Sequence, residues 1–205
     1  MIERIDNSLQ IAVLAVCLGA ALVRVIRRPD RAQTLLALFY GSWLLADLYW
    51  VVCLFFYGET PRISLVSDLG WYASYILLYM LLREAAPPVS RGERRVLPWL
   101  APVFTLGMAV FYMQWGEIFS NLVYAGLMGL LLFASIRRLT DPARYARARF
   151  LCGLILCGCL LEYALWTASC YWGGESLGNP YYWFDFLLTA TFPFFLPATR
   201  KGAAA

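Results

Sequence analysis

Histidine is absent from this sequence, and lysine occurs once, as Lys201. Without histidine, the commonest metal ligand and general base is missing. The six cysteines, Cys17, Cys53, Cys152, Cys157, Cys159 and Cys170, include no CxxC pair. A zinc site is therefore not expected, and no metal or other cofactor is called for. No nucleophile–base set is present either, so the chain does not read as an enzyme. The cysteines lie in or beside apolar segments and read as small buried hydrophobes. A bridge between Cys53 and Cys170, both near helix ends, is left open.

Charge is the next scarcity. Only 15% of residues are charged, against 61% hydrophobic, with a mean hydropathy of +0.63. A soluble domain is about half apolar. The charges cluster, and between the clusters lie apolar stretches of about the 20 residues that a bilayer crossing requires. In 205 residues these stretches leave no length for a soluble kinase or cyclase domain. The first residues carry Glu3, Arg4 and Asp6, so they lack the basic start of a signal peptide.

The apolar spans read as 9–26, 33–56, 63–82, 97–114, 118–136, 148–170 and 180–197. This is the pattern of an all-α membrane protein with seven transmembrane helices. Arginines decide its orientation. Arg24, Arg27, Arg28 and Arg31 follow the first span, and Arg83, Arg91, Arg94 and Arg95 the third. Arg137, Arg138, Arg144, Arg147 and Arg149 follow the fifth, and Arg200 and Lys201 the seventh. Only Arg4 and Arg62 fall on the opposite side. The positive-inside rule then predicts a multi-pass protein of the cell membrane, N-terminus outside and C-terminus cytoplasmic. The net charge of +4 reports this topology and not nucleic-acid binding.

Proline is nearly confined to span ends. Thr60-Pro61, Asp141-Pro142 and Asn179-Pro180 place a capping residue before proline ahead of spans three, six and seven. Pro98, Pro102, Pro193 and Pro197 lie near helix ends, and spans one, two, three, five and six have no interior proline. Gly126 and Gly129, and Gly153 and Gly158, read as close-packing positions. Asp141 to Phe150 reads as a cytoplasmic extension of the sixth helix, a solvated basic end first, with contact of its arginines to anionic lipid as the alternative.

The two halves resemble each other. Span one ends Gly19, then Ile26-Arg27-Arg28; span five ends Gly129, then Ile136-Arg137-Arg138, at the same spacing. Span two has Leu44-Leu45, Trp50 and Gly58-Glu59, and span six has Leu160-Leu161, Trp166 and Gly174-Glu175, again identically spaced. Pro61 and Asp68 then answer Pro180 and Asp185. The expected plan is a single transmembrane domain, 1–205, with repeat one over 8–86, a linker helix over 87–115 and repeat two over 118–201. With an odd number of helices between equivalent positions, the repeats are parallel, an architecture found in transporters with sites at the repeat interface.

This three-plus-one-plus-three plan resembles the SWEET and PQ-loop transporters, and also the microbial opsins. The chain lacks the Pro-Gln pair of the PQ-loop family. Asp68 and Asp185 are similar in placement to the two counter-ion aspartates of the opsins. The retinal lysine of that family would fall at Thr189, so the resemblance implies an opsin-like protein without retinal.

Four acids stand inside the spans: Asp47, Asp68, Glu162 and Asp185. Ionisable groups at such depth are costly and mark functional sites by default. No basic residue lies at their level, so each acid must be protonated, hydrated, hydrogen-bonded or neutralised by something arriving from outside. Asp68, Trp71, Tyr72, Tyr75 and Tyr79 recur at helical spacing, as do Tyr40, Trp43, Asp47 and Trp50. Glu162 lies one turn from Trp166. Carboxylates beside aromatic faces suit an organic cation, and tyrosines beside acids suit a proton path. Interfacial aromatics, and buried acids acting as neutral hydrogen-bond partners that join helices, are the structural alternatives. The expected ligand-binding set is Asp47, Asp68, Glu162, Asp185, Trp50, Trp71, Tyr72, Tyr75, Trp166 and Thr189. The expected partners are the lipid bilayer, a small molecule, cation or proton from outside, and no nucleic acid, with a homo-oligomer or partner protein left open. Two functions fit: a small-solute transporter, cationic or proton-coupled, or a receptor, sensor or accessory subunit acting through a separate protein.

Overall fold

The computed structural model describes residues 2–58, 65–87, 96–141 and 145–199. They are all-helical, in seven α-helices: α1 (Ile2–Arg27), α2 (Arg31–Phe56), α3 (Leu65–Ala85), α4 (Leu100–Tyr112), α5 (Ile118–Leu139), α6 (Arg149–Tyr171) and α7 (Pro180–Ala198). Five of them, α1, α2, α3, α5 and α6, are long and apolar enough to cross a membrane. The segment Leu97–Tyr112, a 3₁₀ turn running into α4, is apolar but shorter. The 19 residues of α7 reach about 28 Å, close to a bilayer core, but its start is rich in polar aromatics and carries Asp185.

Adjacent helices pack α1 on α2, α2 on α3, α3 on α5, α5 on α6, α6 on α7, and α7 back on α1. Six helices thus close a ring, and α4 lies outside it against α5. The bundle end at which α1 begins is called the upper end below. Large apolar side chains face outward along the shaft, among them Val16, Leu45, Val103, Leu160 and Leu187, each more than half exposed. A soluble monomer does not present such a continuous apolar exterior, whereas a lipid-facing one does.

The lower half is tied by side chains bonding to bare backbone. Arg24 Nη1 donates to the Leu196 carbonyl (2.7 Å), Tyr40 Oη to Phe192 (2.6 Å) and Gln33 Nε2 to Thr199 (3.2 Å). These bonds hold α7 to α1 and α2 along the stretch that includes Pro193. Pro193 lies five residues inside the end of α7, not at its terminus as expected, and has no N–H to offer the turn before it. Arg138, buried, donates to the carbonyls of Ala86 and Ala134 at 2.8 Å each, and its guanidinium lies over the Tyr145 ring.

Other local expectations need correction. α1 starts at Ile2, ahead of the span expected from residue 9, so Glu3, Arg4 and Asp6 are helical. α6 has no extension from Asp141: the chain takes a 3₁₀ turn over Ala146–Ala148 and α6 begins at Arg149, capped by Ala148. Among the capping pairs, Asn179 accepts from the Tyr181 N–H at 2.9 Å, as its position before Pro180 requires. Pro61, Thr60 and Pro142 lie outside the described residues, as do Glu59, Arg62, Arg91, Arg94, Arg95, Arg144, Arg200 and Lys201. Of the four glycines read as packing positions, only Gly129 is close to a neighbour: a Cβ there would stand 2.7 Å from Thr105 Oγ1. Gly126, Gly153 and Gly158 face open space. The tight α2–α3 approach is instead at Gly70, where a Cβ would meet Ala46 Cβ at 2.8 Å. All six cysteines are free thiols, including Cys53 and Cys170.

Candidate functional site

Inside the ring, in the upper half, lies a cavity of ≈ 470 Å³. All six ring helices line it, and α4 supplies no residue. The four acids expected within the spans all reach its wall: Asp47 from α2, Asp68 from α3, Glu162 from α6 and Asp185 from α7. Among the described residues, no arginine or lysine lines it. Helical geometry explains the convergence. Asp47 and Glu162 each sit nine residues before the ends of α2 and α6, about 13 Å down from the upper end. Asp68 and Asp185 sit near the starts of α3 and α7, where those helices enter from the same end.

Asp47 is 3% exposed. Its Oδ1 accepts from Trp71 Nε1 at 3.0 Å, across the α2–α3 contact. Its Oδ2 has no hydrogen-bond partner. Trp43, Trp50, Trp71 and Tyr75 complete the wall on this side, with Trp50 and Trp71 rings 5.9 Å apart. Asp68 is held from α5: Tyr124 Oη donates to Oδ1 at 3.2 Å and Ser120 Oγ to Oδ2 at 3.4 Å. Glu162 lies beside the Tyr75 hydroxyl. Trp166 stands edge-on to Tyr124, with centroids 4.8 Å apart. Asp185 accepts from Gln10 Nε2 at 3.2 Å, across the α1–α7 interface.

The structure therefore brings together Asp47, Asp68, Glu162, Asp185, Trp50, Trp71, Tyr75 and Trp166. Tyr72 and Thr189 stand outside the wall. Tyr72 is buried against the Tyr124 ring at 4.8 Å, turned toward α5. Thr189 is 3% exposed in the packing of α7, one residue past the lining Leu188. Tyr40 is occupied in holding Phe192, and Tyr79 lies under the Arg83 guanidinium.

Several residues at the site were not singled out from sequence. Asn7, Gln10, Tyr124, Ser169 and Tyr181 line the cavity. A fifth buried acid, Asp6, lies just behind it beside Asp185. The signal for the α1 group was present: Glu3, Asp6, Asn7 and Gln10 repeat at helical spacing. It is legible only once the helix is known to begin at Ile2. Ser120 and Tyr124 are likewise one turn apart near the start of α5.

Chemically, the site is an acid-lined cup with aromatic sides, and no basic side chain among the described residues lines it. It offers carboxylate oxygens and π faces to a cation, and tyrosine, serine and carboxamide groups for proton exchange. No protein-family model, no curated protein and no solved structure matches this chain.

Proposed function

We propose that the protein is a membrane carrier for a small organic cation, received from outside in the acid-lined cavity and moved by parallel three-helix repeats. The observation that carries this reading is Asp47: a buried carboxylate with one oxygen on Trp71, the other unpartnered, and tryptophan and tyrosine faces around it. An ammonium or guanidinium group answers both features, by charge pairing and by attraction to the ring quadrupoles. A neutral solute leaves the buried charge uncompensated.

The pairing of helices supports the repeat. Replacing α1, α2 and α3 by α5, α6 and α7 maps every contact of the ring onto another contact of the ring. Gly58 and Gly174, equivalent by spacing, are the described residues with positive φ, at 71° and 90°, where a side chain is strained. Gln10 and Ser120 lie nine residues before the matching Gly19 and Gly129, and each donates to an acid of the facing repeat. The cavity falls at the repeat interface, where parallel-repeat transporters bind. With the N-terminus outside, as the arginine distribution expects, it faces outward.

Tetramethylammonium tests the reading, with tert-butanol as the uncharged isostere. Saturable quenching of tryptophan fluorescence in purified protein is expected for the cation alone. Asp47→Asn weakens binding by about tenfold or more, the scale of one desolvated charge–π contact. Wild-type affinity in D47N, or equal binding of tert-butanol, refutes the reading.

A further inference from the structure

Asp6 takes no part in the cavity wall, yet it is among the most deeply buried polar residues, 1% exposed. Asp6 lies one turn before Gln10 on the same face of α1, and Gln10 Nε2 donates to Asp185 across the α1–α7 interface, so the Asp6 and Asp185 carboxyls are neighbours there. Neither Asp6 oxygen has a donor. Two carboxylates are both acceptors, so nothing joins them unless one carries a proton. Two full charges at that separation in a water-poor interior repel strongly.

Among the described residues, no cation pairs with either carboxyl. On α1, Glu3 is the next acid, one turn before Asp6, and Arg4 lies over the Phe55 ring of α2 at 5.3 Å. On α7, Tyr181 and Tyr182 stand nearby; on α6 and α2, Glu162 and Asp47 face Asp185 from across the cavity. Among the described residues, the titratable groups around the pair are thus acidic or phenolic apart from Arg4, which is engaged with Phe55. The hydrogen bond the pair receives comes from Gln10, to Asp185.

We propose that Asp6 and Asp185 hold a single proton between them and give it up when a cation seats in the cavity against Asp185. The proton leaves to water at the upper end, and the arriving positive charge replaces it, so charge balances. Asp185 is the hinge of the exchange because it is the acid that lies beside Asp6 and also lines the cavity. The cation half of this step rests on the carrier reading above; the shared proton does not.

Infrared spectroscopy of ¹³C-aspartate-labelled protein in lipid nanodiscs at neutral pH counts protonated aspartates. Asp6→Asn and Asp185→Asn each replace the shared proton by an amide donor. Each is expected to lose one protonated aspartate, and the double variant the same one. Asp6→Ser and Asp185→Ser serve the same purpose where an asparagine variant fails to show a cooperative unfolding transition. On the same samples, a pH dye in weak buffer reads proton release as tetramethylammonium binds: about one per cation in wild type and none in D6N. An unchanged count in either single variant, a loss of two in the double, or equal release from D6N overturns the shared proton. Failure of tetramethylammonium to bind wild type overturns the carrier reading instead, and the infrared count still decides the pair.

Discussion

Tryptophan 71 shows how one side chain serves both stability and the site. Its indole N–H is the one hydrogen-bond donor found for Asp47, and its ring forms part of the cavity wall. Trp71→Phe keeps most of the apolar surface but strips the carboxyl of that donor. The expected cost is about 1–3 kcal/mol, the penalty for leaving a buried polar group unsatisfied, read as a lower midpoint in chemical or thermal unfolding. Arg138 makes a parallel case at the lower end. Its guanidinium bonds two backbone carbonyls, and Arg138→Ala strands that of Ala86, which lies past the end of α3, and loses packing on Tyr145. A destabilisation of about 1–3 kcal/mol is expected, and Arg138→Lys, without the planar fork, recovers only part of it. The basic character of this position was legible as topology. Its inward-facing bonding was not, because a positive-inside count treats all arginines alike.

Among the elements, α2 and α3 depend on Gly70. Its missing side chain lets the helices approach until a Cβ would stand 3.0 Å from the Ser42 carbonyl oxygen as well as against Ala46. Neither is a flexible side-chain tip, so the helices themselves must part. Gly70→Ala is expected to destabilise by about 1–3 kcal/mol and to loosen the Trp71–Asp47 bond one residue away. Unfolding midpoints check the first effect, and tetramethylammonium affinity the second. Tyr40 acts between α2 and α7. Tyr40→Phe removes its 2.6 Å bond to Phe192 at a cost of about 0.5–1.5 kcal/mol, measurable in the same assay. Helix positions were largely readable, since apolar runs of fixed length leave little choice. The glycine that mattered was not, because small-residue spacing on one helix does not say which face meets a partner.

For the molecule as a whole, the closed ring has two consequences. It surrounds an acid-lined interior with an apolar outer surface, the inverse of a soluble domain, and it makes α4 dispensable to the cavity wall. The orientation expected from the arginines is checked by fusion: green fluorescent protein at the C-terminus fluoresces, and alkaline phosphatase placed there is inactive. The reverse pattern would put the acidic cavity toward the cytoplasm and exclude uptake from outside as its role.

Composition and the spacing of apolar runs determined by themselves that the chain is helical, and they located its helices to within a few residues apart from the early start of α1. Membrane depth follows from residue number along a helix, so the presence of Asp47, Asp68, Glu162 and Asp185 in the upper half was also readable. Rotation and neighbour choice are not functions of depth. Only tertiary structure decided that these acids face one cavity, that Tyr72 and Thr189 turn away from it, and that Asp6 is drawn in from the first turn of the chain. The reason is physical. A helix repeats every 3.6 residues whatever surrounds it, whereas the direction of each side chain is set by which helices close against it.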